Sequence, residues 1–136
     1  MIVVMTDRGE VLLQHRDDKK GICWPGYWSV PGGGREPGET PGEAAFRELK
    51  EETGISLDSL QQVTVTDYDP APANPPHVFL GIWNGHESDL VLGEGQALAF
   101  VPVDALPAKM PPHIRHYVTQ IASGAYSTDA FGRGHP

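Results

Sequence analysis

The stretch Gly33–Ile55, GGREPGETPGEAAFRELKEETGI, decides how the rest of this sequence is interpreted. Its second half predicts an amphipathic helix over Pro41–Thr53. Thr40 suits the N-cap, a proline suits the first helical position, and Glu43 completes a capping box. Gly54 suits the residue after the helix, where the backbone commonly turns left-handed. The stretch therefore predicts a glycine-rich loop followed by a capped helix.

Three carboxylates share one face of this predicted helix. Glu48, Glu51 and Glu52 are spaced i, i+3 and i+4, so their side chains project together. Like charges this close do not stabilise an isolated helix, and taken alone they would indicate a solvated charged face. Beside a glycine-rich loop, however, clustered oxygen donors suit a divalent cation. Mg²⁺ fits best, and Mn²⁺ is the second choice.

The same stretch resembles the Nudix box at every defined position. Gly33, five residues, Glu39 and seven residues lead into the run Arg47 to Ile55, RELKEETGI. The resemblance implies a metal-dependent pyrophosphohydrolase that cleaves a nucleoside diphosphate linked to another moiety, X. It also implies an α/β fold, an α/β/α sandwich with a mixed β-sheet between helices.

The resemblance gives roles to single residues of the box. Arg47 would orient a catalytic glutamate through an ion pair. Glu39, Gly33 and Gly54 would be structural: Glu39 as an anion near the helix N-terminus, and the glycines where the backbone turns tightly. The implied metal ligands are Glu48, Glu51, Glu52 and a carbonyl oxygen of Gly33 or of Gly32.

A further acidic candidate lies outside the box. Gly93-Glu94-Gly95-Gln96 precedes a predicted strand, and an EGQ segment lies at a comparable place in mutator-type Nudix enzymes. Its glutamate there is an additional metal ligand and a candidate base. The resemblance carries that role to Glu94; the alternative is a glutamate on a surface loop.

Substrate contacts are less determined by the sequence. Arg16 follows the second predicted strand and could meet a phosphate, or form a surface ion pair. An aromatic ring could stack on a base or belong to the core or its rim. The aromatic candidates are Phe79, Trp24, Tyr27 and Trp28.

The flanks resemble mutator-type or nucleotide-sugar enzymes, which leaves X open. Mutator-type enzymes read an oxidised guanine with an asparagine, and Met110 lies at the corresponding place. A methionine cannot make that bidentate polar contact, so the sequence weakens an assignment to 8-oxo-dGTP.

Composition bounds the class of protein. The chain has 136 residues, a formal net charge of −8 and one cysteine, Cys23, which excludes an internal disulfide. This length fits one domain, predicted at residues 1–126, with a flexible polar tail at 127–136. The negative charge disfavours nucleic-acid polymers and anionic membranes as partners, although a bound metal permits small phosphate substrates. Without an apolar span or a signal peptide, a cytoplasmic protein is expected.

Periodicity predicts the other elements. A second helix is expected over Pro112–Ser123, with a short helical turn at 104–106. Strands that alternate with two helices indicate α/β layering. The predicted strands are Ile2–Met5, Val11–Gln14, Tyr27–Val30, Val63–Tyr68, His77–Trp83 and Ala97–Val101.

Three hypotheses follow for function. The first is a pyrophosphohydrolase acting on a small nucleotide, with a homodimer compatible with the resemblance. The second is a nucleotide-binding module on a Nudix fold that has no catalytic activity. The third is an acidic scaffold without metal affinity. The intact box favours the first.

Overall fold

The computed structural model describes residues 1–65 and 76–128 of the chain. Strands and helices alternate along it, as the sequence predicted. No helix in these described ranges is both long and apolar enough to cross a membrane. The elements are β1 (Ile2–Met5), β2 (Glu10–His15), β3 (Trp28–Ser29), α1 (Pro41–Thr53), β4 (Gln61–Thr64), β5 (Val78–Ile82), β6 (Ala97–Pro102), α2 (Pro112–Ala122) and β7 (Ser127–Thr128).

The sheet is mixed, because β1 runs parallel to β5 whereas the other pairings are antiparallel. Its order is β3-β2-β1-β5-β4-β7, and β6 also pairs with β2. The β2–β6 ladder runs from Glu10 opposite Pro102 to His15 opposite Ala97. Strand β3 pairs with β2 at the same His15 end. The start of the glycine-rich loop after β3 and the end of the segment before β6 therefore both lie near the His15 end of β2.

Alternation along β1 divides the core into two layers. Ile2 and Val4 pack on the α1 side, whereas Val3 and Met5 pack on the α2 side. All four side chains are buried, because successive residues of a strand point to opposite faces of the sheet. The sheet thus lies between the two helices, which confirms the predicted α/β/α sandwich.

The caps of α1 are those the sequence predicted. The Thr40 hydroxyl accepts the Glu43 N–H at 3.1 Å, and the Glu43 carboxylate accepts the Thr40 N–H at 2.8 Å. Gly54 has a φ of 79° and donates its N–H to the Lys50 carbonyl oxygen. These caps satisfy backbone groups that would otherwise lack partners, so they fix both ends of the helix that carries the acidic face.

Replacing Gly42 with alanine is expected to stabilise the protein. Gly42 lies in the first turn of α1, and a Cβ there would meet Phe79 Cε1 at 3.9 Å, an ordinary contact. Alanine loses less backbone entropy in a helix, so Gly42→Ala is expected to raise the free energy of unfolding by about 0.5–1 kcal/mol. Urea unfolding followed by circular dichroism measures this difference, and a lower midpoint in the variant would contradict it.

Some predicted boundaries differ from the observed ones. Strand β3 has two residues, Trp28–Ser29, where four were expected. Ser127–Thr128, assigned to the tail from sequence, pair with the edge strand β4 as β7. A two-residue strand has no detectable period, so only its spatial neighbour reveals it. The later parts of the predicted strand Val63–Tyr68 and of the tail lie outside the described residues.

Candidate active site

Glu48 and Glu52 lie one turn apart on α1 and face the glycine-rich loop. The Gly32 N–H donates to Glu52 Oε1 at 3.2 Å. A Cβ at Gly33 would lie 2.7 Å from the Glu48 carboxyl carbon. The loop can therefore approach the Glu48 carboxylate because Gly33 carries no side chain, whereas a Cβ at Gly32 would instead meet the Met1 backbone at 3.2 Å.

The two carboxylates of this acidic pair influence each other's charge. Glu52 is only 4% exposed. Burial raises the pKa of Glu52 to about 8, and contact with the Glu48 carboxyl and the charges of Glu94 and Glu48 act in the same direction. The Gly32 N–H opposes them, because it donates to the charged form. The two carboxyl groups thus interact, and a bound cation would favour the charged form of Glu52.

The metal-free protein is expected to lose stability as pH rises. The pKa of Glu52 is raised from 4.5 to about 8 on folding, so its neutral form suits the folded state. Its contribution is fully present below pH 4.5 and is lost as pH rises through about 8. Thermal melts in a chelator between pH 6 and pH 9 measure the effect. Glu52→Gln is expected to remove it, and an equal slope in that variant would assign it to other groups.

Arg47 connects the box loop to the helix. Its guanidinium binds Glu39 through two bonds, Nε to Oε2 at 2.6 Å and Nη2 to Oε1 at 2.9 Å. Its Nη1 also contacts Glu48 at 3.0 Å and Glu51 at 3.1 Å, and its Nη2 donates to the Gly34 carbonyl oxygen. The hydrogen bonds from Arg47 lower the pKa of Glu39. Arg47 thus forms ion pairs with Glu39, Glu48 and Glu51, and its expected role of orienting a catalytic glutamate stays a prediction.

Glu51 is separate from the acidic pair. Its side chain is 58% exposed and pairs with Arg47. Within residues 1–65 and 76–128, no three His, Cys, Asp or Glu side chains converge as a complete metal cage. Mg²⁺ commonly uses one or two carboxylates and keeps several waters. The carboxylates of Glu48 and Glu52, which lie beside the glycine-rich loop, therefore form a donor set that fits this ion.

Glu94 lies on a loop whose backbone is bonded to α1, the helix of the acidic pair. Its charge contributes to the raised pKa of Glu52. The Gly93 N–H donates to the Glu52 carbonyl oxygen at 3.0 Å, and Gln14 Nε2 donates to the Glu94 carbonyl oxygen at 3.0 Å. The sequence analysis missed Gln14 and Gly93 as contributors. The available signal was a polar residue in an otherwise apolar strand.

Arg16 and Phe79 have different surroundings. Arg16 Nε donates to the Cys23 carbonyl oxygen at 2.7 Å, and the residue lines a cavity of about 90 Å³ together with Glu94. Phe79 is 5% exposed and belongs to the core on the α1 side. An edge of it lines a second cavity, which Glu48 also borders. Little of the Phe79 ring is therefore available for stacking on a base.

The other aromatic candidates lie near the start of α2. Trp24 is 41% exposed, and its ring centroid lies 5.1 Å from that of Tyr27 and 6.4 Å from that of His113. The Lys109 ammonium lies 5.2 Å from the Tyr27 ring centroid. Trp28 instead stacks on a histidine of β2 at 4.6 Å. Trp24 and Tyr27 thus form one partly exposed aromatic surface.

The family is decided by a match that extends well beyond the box. The family model described as NUDIX domain matches residues 1–121. The chain belongs to the Nudix family. The loop, helix and acidic pair described above are therefore the Nudix box in its folded form.

Curated Nudix relatives carry several names. The chain is 38% identical over 85 residues to an RNA pyrophosphohydrolase of Erythrobacter litoralis, covering 62% of this chain and 49% of that one. It is 29% identical over 124 residues to a putative 8-oxo-dGTP diphosphatase of Bacillus subtilis, covering 91% and 78%. The chain thus spans about half the length of the first relative and more of the second.

Solved structures share this Nudix fold. A MutT Nudix hydrolase from Burkholderia pseudomallei is 27% identical with a TM-score of 0.64, covering 88% of this chain and 96% of that one. The E. coli dihydroneopterin triphosphate pyrophosphohydrolase is 25% identical with a TM-score of 0.67, covering 91% and 94%. The family-model match over residues 1–121 includes the loop and the helix that position the acidic pair.

Proposed function

We propose that this Nudix protein is a metal-dependent pyrophosphohydrolase. Its substrate would be a nucleoside di- or triphosphate linked to X, where X is a phosphate, a sugar or another small group. The observation that carries the proposal is the acidic pair, Glu48 and Glu52, held against Gly32 and Gly33. A buried Glu52 whose pKa is raised beside the Glu48 carboxyl is poorly explained as a structural device, and a divalent cation would favour its charged form.

The residues have distinct parts in this proposal. Glu48 and Glu52 would hold Mg²⁺ or Mn²⁺, and Arg47 would keep the Glu48 carboxylate in place through their ion pair. A bound Mg²⁺ neutralises phosphoryl charge and lowers the pKa of a bound water. Glu94, which is exposed on the loop bonded to the Glu52 carbonyl oxygen, would accept the proton of the attacking water as the water oxygen bonds to phosphorus and the bridging oxygen leaves.

The purine contacts proposed here differ from those of an 8-oxo-dGTP enzyme, because Met110 lies at the place where mutator-type members carry an asparagine. Met110 is 3% exposed and packs in the core on the α2 side. Its thioether offers no donor and only a weak acceptor. Trp24 and Tyr27 are more exposed than Phe79 and so are the more accessible rings for a base. We therefore propose a nucleotide held by aromatic contact, in which Met110 makes no polar contact to an oxidised guanine.

A substrate screen tests the proposal. The purified protein is assayed with Mg²⁺ and then Mn²⁺ against nucleoside triphosphates, 8-oxo-dGTP, nucleotide sugars, ADP-ribose and dinucleoside polyphosphates. A 5′-triphosphorylated RNA is added because of the name of one relative. Release of phosphate, pyrophosphate or a nucleoside monophosphate is expected from one class, and it should stop in a chelator. Nucleotide binding without turnover would favour a binding module instead, and absence of metal affinity would favour an acidic scaffold.

A further inference from the structure

Gln14 is a buried amide in a row of apolar side chains. In β2, Leu12 and Gln14 share the face that packs on α1, and Leu98 lies opposite Gln14 on β6. Gln14 is only 4% exposed. Burying an amide among leucines is unfavourable unless it is hydrogen-bonded, and a leucine would suit the position better for packing alone. The position therefore requires another explanation.

The Gln14 amide donates a hydrogen bond to the loop that carries Glu94. Gln14 Nε2 donates to the Glu94 carbonyl oxygen across 80 positions of sequence. The next glycine, Gly95, has a φ of 88°, and a Cβ there would lie 2.5 Å from the His15 carbonyl oxygen. On this side, the loop thus lies directly against the end of β2.

The opposite side of the loop lies against α1. The Gly93 N–H donates to the Glu52 carbonyl oxygen at 3.0 Å, and a Cβ at Gly93 would lie 1.9 Å from the Glu51 carbonyl oxygen. Glu94 is therefore the residue between two backbone attachments, one to the helix of the acidic pair and one to β2. Gln14 provides the attachment to β2 that falls on Glu94 itself.

We propose that Gln14 is a positioning residue that holds the Glu94 backbone, and hence its carboxylate, beside the acidic pair. The inference rests on the proposed function for its catalytic consequence, but the attachment itself is a property of the chain alone. Gln14 does not contact substrate or metal in this proposal. It acts through the Glu94 carbonyl oxygen.

The test uses Gln14→Leu, with Gln61→Leu as its matched control. Gln61 is a half-buried amide of β4 that donates to a backbone carbonyl oxygen, that of Gln62, away from the acidic pair. Gln14→Leu is expected to lower kcat by about 10- to 100-fold, the usual effect of an outer-shell residue, with KM nearly unchanged. In a Glu94→Gln background it is expected to have no further effect, because both changes remove the same contribution.

Amide hydrogen exchange gives a readout that does not depend on turnover. Gln14→Leu is expected to speed exchange at the Gly93 and Gln96 amides, which bond to α1 and β2, whereas Gln61→Leu leaves them unchanged. Unchanged exchange in Gln14→Leu overturns the proposal, whether or not the protein is an enzyme. Equal losses of kcat with and without the Glu94 carboxylate also overturn it. A wild-type protein with no substrate in the screen, but with faster exchange in Gln14→Leu, refutes the proposed function and keeps the attachment.

Discussion

Glu52→Gln is expected to lower turnover by about 10³-fold while the protein stays folded. The substitution keeps the shape of the side chain and an oxygen that can accept the Gly32 N–H, but it removes the charge that would hold a cation. Loss of one group that stabilises developing charge has effects on this scale. Steady-state kinetics on the substrate found by the screen measure the loss, and calorimetric titration with Mn²⁺ measures the accompanying fall in affinity.

Glu43→Gln is the matched control for this experiment. Glu43 lies on the same helix, and its carboxylate caps the Thr40 N–H, a bond that an amide oxygen can also make. The turnover of the Glu43→Gln variant is expected to equal that of the wild type. Full activity in Glu52→Gln would refute the assignment of the acidic pair as the metal site, whereas equal losses in both variants would indicate a general effect of helix charge.

Gly93→Ala is expected to destabilise the protein and to reduce turnover together. The new Cβ would lie 1.9 Å from the Glu51 carbonyl oxygen, a backbone atom that α1 holds in place. The loop must move away and lose its bond to Glu52, with a cost of about 2–3 kcal/mol. A shift of about 1 Å at Glu94 is expected to cost about 10²-fold in turnover.

Urea unfolding and kinetics on the same preparation measure both effects. Gly42→Ala is the control, since it adds the same methyl group to α1 where there is room for it. Wild-type stability in Gly93→Ala would show that the loop does not rest on the helix as described. Lower stability with unchanged turnover would show that the position of the loop does not affect catalysis.

The box was readable from sequence because its determinants are local. Caps at Thr40 and Gly54 and the i, i+4 spacing of Glu48 and Glu52 act within one helix, and the structure confirms the helix bounds. The distances between these groups follow from helix geometry alone. For the same reason, the mixed sheet between two helices could be expected once the family resemblance was recognised.

The long-range hydrogen bonds that hold the Glu94 loop could not be predicted from the sequence in this way. The bond from Gln14 to Glu94 joins residues 80 positions apart. It depends on the register of β2 with β6, which a single sequence does not determine. The separation of Glu51 from the acidic pair is similar, since helical spacing alone groups all three glutamates. In the structure the same Arg47 Nη1 contacts both Glu48 and Glu51, and it is exposure that distinguishes them, because the Glu51 side chain is 58% exposed and that of Glu48 is 15% exposed.

The loop before β6 is held by main-chain atoms. The Gly93 N–H, the Glu94 carbonyl oxygen and the Gln96 N–H are bonded to α1 and β2, and none of these bonds involves the Glu94 side chain. The fold therefore fixes the backbone of position 94 against α1 and β2, and it does not depend on which side chain that position carries. Glu94 could be replaced by aspartate, histidine or cysteine without a change in the loop conformation. Position 94 is therefore a suitable first choice for redesigning the reaction.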